Sequence, residues 1–443
     1  MARITPLSGF PEWLPAERMV EQQVVDELRR TFELHGFAPI ETRAVETVER
    51  LLTKGEIDKE VYGVRRLADN GADGADPSRE LALHFDLTVP FARYVLENAG
   101  RLVFPFRRYQ IQKVWRGERP QEGRYREFLQ ADIDVVDAGS LPFHYEIEMP
   151  LVLGEAFAGL PVPPMTVQVN NRKLVEGYYL GLGVDDPTEV LRIVDKLDKF
   201  GPDAVAAMLG ERAGLTAAQS RACLDLASIR STDSSFVDRV TALGVTHPLL
   251  DEGADELSRV VDASSSAAPG LVVADLSIAR GLDYYTGTVY EVRMQGFEGA
   301  GAVAAGGRYD SLASDGTTTY PGVGISFGIS RTLGLLFGRG LTATRSVPTC
   351  VLVALADEES RPAAVAVAAS LRGRGIATEV APQAAKFGKQ IRFADRRGIP
   401  FVWFPGEEGD EVKDIRSGEQ VPADPATWSP PDADRWPGIK GVR

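Results

Sequence analysis

Cysteine is nearly absent from this chain of 443 residues: Cys223 and Cys350 are the only two. Two distant thiols with no CxxC run exclude a disulfide framework and a thiolate metal site. Both read as small buried apolar residues of a reducing compartment. Histidine is also scarce. His35, His84, His144 and His247 form no spaced group, so no metal-ligand set is expected. No apolar run reaches membrane-spanning length, and the start, MARITPLSGFPEW, lacks the basic-then-apolar pattern of a secretory signal. The expectation is a cytoplasmic protein with no membrane partner. Positive charge is in the minority, 49 Lys and Arg against 63 Asp and Glu, for a net charge of −14. Such acidity argues against indiscriminate nucleic-acid binding, so any RNA contact has to come through local basic patches. Phosphate-loop fingerprints are missing too. Gly388-Lys389 is followed by Gln390, so there is no Walker A loop, and Gly322, Gly324 and Gly328 are mis-spaced for a dinucleotide site.

What is present is an ordinary globular composition, 44% hydrophobic, with chain enough for roughly two to four domains. The most informative stretch is Arg107 to Asp137, which alternates as a long β-hairpin. Leu129, Ala131, Ile133 and Val135 fall on one face of the return arm, and Gln130, Asp132 and Asp134 on the other. Seven basic residues (Arg107, Arg108, Lys113, Arg116, Arg119, Arg124 and Arg126) stand against Glu118, Glu122 and Glu127. A solvated, charge-laced hairpin is the plain alternative. Arg116 at a strand end, opposite Gln130 and Asp134, instead favours a phosphate-and-amine site, because a guanidinium fork fits phosphate oxygens.

Elsewhere the pattern changes several times. Residues 12–35 read as an amphipathic helix stopped by Gly36, and Phe37 to Thr42 as a strand. Residues 69–79 read as a loop. Asp86 and Thr88, two apart, share a face if extended, but either could equally open a helix before Val89-Pro90. Tyr145 to Leu160 reads as an apolar helix. Residues 166–262 read as a helical insertion of short helices (Arg172 to Leu182, Pro187 to Phe200, Asp203 to Leu209, Thr216 to Leu226), closed by a flexible seam at 262–270. Residues 271–292 read strand, turn, strand, with Arg280 near the strand end and a Tyr284–Tyr285 pair. Gly306 and Gly307 form either a tight turn or a close backbone approach to a ligand. Residues 339–348 read as a linker. Beyond it, strands alternate with helices, as in a small α/β domain, over residues 349–421, and a Pro-rich tail, residues 422–443, reads as irregular. Lys386, Lys389 and Arg392 lie on one basic helix, which is either a solvated face or an RNA contact.

Several of these segments carry a family resemblance. VWRGERPQEGRYREFLQADIDV resembles motif 2 of the class II aminoacyl-tRNA synthetases, in the form found in the histidyl-tRNA synthetase family. ARGLDYYTGTVYE is similar to a peptide specific to that family, and LALHFDLTVPFARY resembles its LRxDLTVPFARY segment, with His84 in place of Arg. The opening helix and strand resemble motif 1, with Arg43 where Pro is usual. PGVGISFGISRTLGLLF resembles motif 3, with Ser330 where an acid is usual. VDKLDKFG resembles the family's insertion domain, which touches the tRNA acceptor arm, and the C-terminal domain resembles its anticodon-binding domain.

The resemblance implies an α+β fold: an antiparallel class II catalytic sheet with flanking helices, a helical insertion and a C-terminal α/β domain. Catalytic segments 1–165 and 263–338 would flank the insertion. It implies a homodimer that joins L-histidine to tRNA(His) with ATP and Mg2+. Arg116, Arg280 and Arg331 are the implied catalytic residues. Asp86, Thr88, Gln130, Asp134, Tyr284, Tyr285, Gly306 and Gly307 would bind histidine. Arg116, Glu118, Arg124, Tyr125 and Arg331 would bind ATP, and Lys386, Lys389 and Arg392 tRNA. The alternative is a histidine-binding regulatory paralogue without catalysis.

Overall fold

The structure, a computed structural model, describes residues 5–52, 60–66, 80–278 and 284–441. It divides into two compact units, Met1–Pro11 with Val24–Leu335, and Glu12–Gln23 with Leu336–Arg443. The loop expected at 69–79 lies outside the described residues.

The first unit is built on a nine-stranded sheet. Its middle is antiparallel: Phe106–Trp115, Glu127–Val136, Gly322–Gly328, Ala304–Tyr309, Thr288–Met294 and Met165–Asn171, in that spatial order. A parallel pairing flanks it at each end, to Ala38–Pro39 and to Val272–Asp275. The hairpin register puts Arg108 opposite Asp134, Gln110 opposite Asp132 and Gln112 opposite Gln130. The Asp132 row continues through Ser326, Ala305 and Glu291. One face is therefore polar across several strands. The other carries Ala131, Ile133, Val135, Ile325 and Phe327, all buried. Against it packs helix His144–Ala158, through contacts such as Phe157 on Phe327, ring centroids 5.1 Å apart. Each fully buried large aliphatic or aromatic side chain contributes about 1.5–3 kcal/mol.

In the first unit three segments differ from the sequence expectation. Met165–Asn171, placed at the start of the insertion, is a central strand; Met165, Val167 and Val169 are buried in strand alternation. The supposed flexible seam is the last turn of helix Pro248–Ala267, whose apolar side runs on through Leu257, Val260, Val261 and the buried Ser264. The expected strand at 37–42 narrows to Ala38–Pro39. Between the sheet strands lie helices Arg172–Gly181, Thr188–Val194, Leu197–Ala213, Ala217–Ala227 and Phe236–Thr241. Gly201 breaks the third at φ 77°, ahead of Pro202. Thr216 and Gln219 form a reciprocal capping box on the fourth.

In the second unit five strands run Thr378–Val380, Val351–Val353, Phe401–Phe404, Glu411–Asp414, Gln420–Pro422; the first three are parallel and the last two join antiparallel. Its core holds Leu352, Leu355, Leu371, Ala394 and Trp403. The tail expected to be irregular is anchored. Trp428 packs on Phe401 and Trp403. Arg374 donates to the carbonyls of Pro425, Thr427 and Trp428. Ile439–Lys440 pairs with Thr342–Ala343, so part of the expected linker is a strand.

Helices Arg172–Gly181 and Pro248–Ala267 meet backbone to backbone through two glycines. A Cβ on Gly253 would lie 2.1 Å from Leu174 N, and one on Gly177 2.2 Å from Leu250 N. Gly253→Ala therefore forces the pair apart, and should lower stability by about 1–3 kcal/mol, read as a lower urea midpoint.

Candidate active site

The polar face of the sheet opens into a cavity of about 320 Å³. Arg116, Arg124 and Arg331 line it together with Tyr125 and Gln130, and Glu118 and Glu291 supply its carboxylates. Arg116 follows directly on the strand Phe106–Trp115. Its Nε donates to the Phe85 carbonyl at 3.0 Å and its guanidinium lies over Phe128, 5.2 Å from the ring centre. Arg124 pairs with Glu118 at 3.4 Å in the hairpin loop, where Gly123 takes φ 68°. Arg331 rises from the start of helix Ile329–Phe337 and donates to the Ala300 carbonyl. Gly334 on that helix makes room for Tyr125; a Cβ there would lie 2.2 Å from the phenol oxygen.

A second group of expected residues lies around Tyr284. Its ring is 4.1 Å from that of Tyr285. Burial pushes the Tyr284 phenol above its usual range, and the charges of Asp86, Arg116 and Asp132 all act on it. Tyr285 lies against Gly307, where a Cβ would come within 2.9 Å of its ring. Gly306 is different. It stands opposite Ile325, which stands opposite Ile133, so alternation puts it on the apolar side of the sheet.

Asp86 is buried, and its Oδ1 accepts from Val89 N at 3.1 Å, which stabilises the first turn of helix Thr88–Asn98. The helix-opening possibility is therefore realised, with Thr88 half-buried as the first helical residue. His84 is fully buried beside Trp115 and donates from Nε2 to the Lys113 carbonyl at 2.7 Å; burial lowers its pKa. Ser330 Oγ accepts from Leu129 N at 2.9 Å. Arg280 lies outside the described residues.

Asp134 uses both oxygens inside the sheet. Oδ1 accepts from the Tyr309 hydroxyl at 2.8 Å, and Oδ2 pairs with the fully buried Arg108 at 2.5 Å. Gly324 leaves the space this needs, since a Cβ there would fall 2.1 Å from Oδ1. Arg108, Asp132, Tyr309 and Glu291 were not singled out as site residues from the sequence. Alternation already put Asp132 on the polar face; Tyr309 and Glu291 carried no local signal.

In the second unit Lys386 precedes helix Phe387–Arg397, and Lys389, Arg392, Asp395 and Arg396 line an open depression of about 370 Å³. Lys386, Lys389 and Arg392 are exposed. Gln390, on the inner side, fixes the helix by accepting from Leu355 N and donating to Leu355 O, at 2.9 and 2.8 Å. Arg397 is tied to Glu379 at 2.8 Å.

An antiparallel sheet with arginines gathered on one face, joined to a separate α/β unit, has the class II aminoacyl-tRNA synthetase fold. The histidyl-tRNA synthetase family description matches residues 9–332, and the anticodon binding domain description matches residues 349–424. The chain belongs to the histidyl-tRNA synthetase family. It is 59% identical to the histidine–tRNA ligase of Cutibacterium acnes, covering 100% of both chains. It also resembles the crystal structure of histidyl-tRNA synthetase from Nostoc sp. PCC 7120, at 33% identity and TM-score 0.85, covering 96% of this chain and 97% of that one. An ATP phosphoribosyltransferase regulatory subunit/histidyl-tRNA synthetase from Bacillus halodurans C shares the fold at 18% identity and TM-score 0.72, covering 88% of this chain and 96% of that one.

Removing one partner of a buried ion pair leaves the other uncompensated, at about 3–5 kcal/mol. Asp134→Ala should lose stability on that scale because Arg108 stays buried. Adding Arg108→Met should recover much of it. Urea midpoints of the single and double variants check this.

Proposed function

We propose that this protein is a histidine–tRNA ligase. It activates L-histidine with ATP, giving histidyl-adenylate and pyrophosphate, and transfers the histidyl group to the 3′ end of tRNA(His). The observation that carries this reading is the set of three guanidinium groups, Arg116, Arg124 and Arg331, around one cavity on the polar sheet face.

Adenylation is an in-line displacement in which a carboxylate oxygen attacks the α-phosphorus and pyrophosphate leaves. Both reactants are anionic, so the chain must supply positive charge and alignment, with little proton transfer. Arg116 is held through Nε by the Phe85 carbonyl, and its bidentate edge serves the substrate carboxylate and α-phosphate. Arg331 and Arg124 bind the remaining phosphates, and Tyr125 with Glu118 completes the ATP side. On the histidine side, Asp86, Thr88 and Gln130 receive the amino group. Tyr284 and Tyr285 enclose the imidazole, Gly307 leaves room for them, and Asp134 with Tyr309 forms the floor. Arg280 stands a few residues before the tyrosine pair and adds charge at the reacting carboxylate.

Glu118 and Glu291 would hold Mg2+. Carboxylate oxygens from one or two residues suit an ion that keeps mainly phosphate and water ligands, and when bound it shields the charge of the β- and γ-phosphates. The exposed row Lys386, Lys389 and Arg392 binds tRNA phosphates, a role supported by the anticodon binding domain match. The family reading carries with it a homodimer and a cytoplasmic location. Among the described residues no helix is long and apolar enough to cross a membrane.

Histidine-dependent ATP–pyrophosphate exchange tests the assignment, since a regulatory paralogue would bind histidine and exchange nothing. Arg280→Ala should slow exchange on the order of a hundredfold, the effect of losing one donor to a developing anion, while histidine binding by calorimetry is retained. Exchange at the wild-type rate would remove Arg280 from the mechanism. Charge reversal at Lys389 and Arg392 should weaken tRNA binding, with a shallower salt dependence, and leave exchange unaltered. Point substitution is preferable to deleting the C-terminal unit, because residues 12–23 cluster with that unit.

A further inference from the structure

One acidic side chain on the ligand face has no part in the roles above. Asp132, in the strand Glu127–Val136, is 1% exposed. Its Oδ1 accepts from Gln130 Nε2 at 2.9 Å, while its Oδ2 has no hydrogen-bond partner. Among the described residues the one cation within ion-pair distance is Arg108, whose Nη2 is 3.9 Å away and only 2.5 Å from Asp134. Burial raises the Asp132 pKa and the Asp86 charge pushes the same way; the Arg108 charge and the hydroxyl and amide donors of Ser326 and Gln130, which approach the carboxylate, oppose them. A buried carboxylate oxygen without a donor is costly, and an incoming cation relieves it.

The surroundings say which cation. Asp86 lies in a segment held by both arginines of this face: Arg116 Nε donates to the Phe85 carbonyl at 3.0 Å, and Arg108 Nη2, 3.9 Å from Asp132, lies 3.5 Å from the Leu87 carbonyl. Asp86 and Asp132 are thereby held near Arg116, and the charges of all three act on Tyr284. Asp132 also shares a sheet face with Gln130 and Ser326, which line the cavity. A carboxylate only accepts, so the Gln130 amide turns its NH₂ toward Asp132 and leaves its Oε1 for a ligand. An amino acid carries its ammonium on the carbon next to its carboxylate. With the carboxylate at Arg116, the ammonium is the group that meets the acidic pair.

We propose that Asp132 is a further binding residue for the amino-acid substrate: with Asp86 it seats the α-ammonium between two carboxylates, and it orients Gln130 to accept from the same group. The proposal rests on the histidine–tRNA ligase reading. An ammonium has three N–H donors, and Asp132 Oδ2 joins Asp86, Thr88 and Gln130 Oε1 as an acceptor around it. The imidazole ring uses none of them.

The test uses the full chain and Asp132→Asn, which keeps the shape and removes the charge. KM for histidine and for ATP are measured in pyrophosphate exchange. Inhibition constants are measured for histidinol, which has the ammonium but no carboxylate, and for 3-(imidazol-4-yl)propanoate, which has the carboxylate but no ammonium. KM for histidine and the histidinol constant should rise roughly tenfold to a hundredfold, the worth of one charge-assisted hydrogen bond. The ATP and propanoate constants should stay within about twofold, since neither compound presents an ammonium. These constants do not depend on the active fraction, and Asp132→Ser serves if the Asn variant folds poorly. An unchanged histidine KM, or equal weakening of histidine and the propanoate, overturns the proposal alone. A wild-type chain with no histidine-dependent exchange overturns the parent reading, and this proposal with it.

Discussion

Register across the central hairpin is the constraint on which the rest of the first unit depends. Strand period is two, so one pairing, Gln110 with Asp132, assigns every other side chain to a face. A slip by one residue would turn Asp132, Asp134 and Arg108 toward helix His144–Ala158 and expose Ile133 and Val135. The desolvation penalty for those charges makes that register inaccessible. The same alternation passes unbroken into Gly322–Gly328 and Ala304–Tyr309, so the polar face extends over strands distant in sequence.

That polar face is stabilised only in part. Arg108 is fully buried between Asp134 and the Phe91 ring, with its Nε and Nη1 left without hydrogen bonds. A hydrophobic design of the same volume would be at least as stable. What the charges provide is orientation. Asp134 is held by Tyr309 and Arg108, and Gln130 by Asp132, before any ligand arrives. A site whose dipoles are already aligned need not reorganise during the reaction.

Much of this was legible in the sequence where the signal is local. Alternation gave the hairpin and its two faces, and the helix expected from Thr216 begins at Ala217 with Thr216 as its cap. Arg116, Arg124, Arg331 and Gln130 were singled out, and they line one cavity. What was not legible depends on partners far along the chain. Met165–Asn171 is a strand because Thr288–Met294 and Val272–Asp275 flank it. Ala263 to Ala267 look like linker by composition and are helical because the preceding turns are packed. The tail is ordered by Arg374 and by Trp428 on the Phe401 and Trp403 rings. The hold of Arg108 and Tyr309 on Asp134 is likewise a contact between separate strands.

The composition of the second unit has a consequence for how the chain is made. That unit combines residues 12–23 with residues from 336 onward, and Gln23 donates to the Pro437 carbonyl at 2.7 Å. During translation the early segment emerges first, and its partners emerge only after the whole of the first unit has left the ribosome. Closing so long a loop is entropically slow. Residues 12–23, at the start of helix Pro15–Leu34, therefore wait through most of synthesis for the partners that complete their unit.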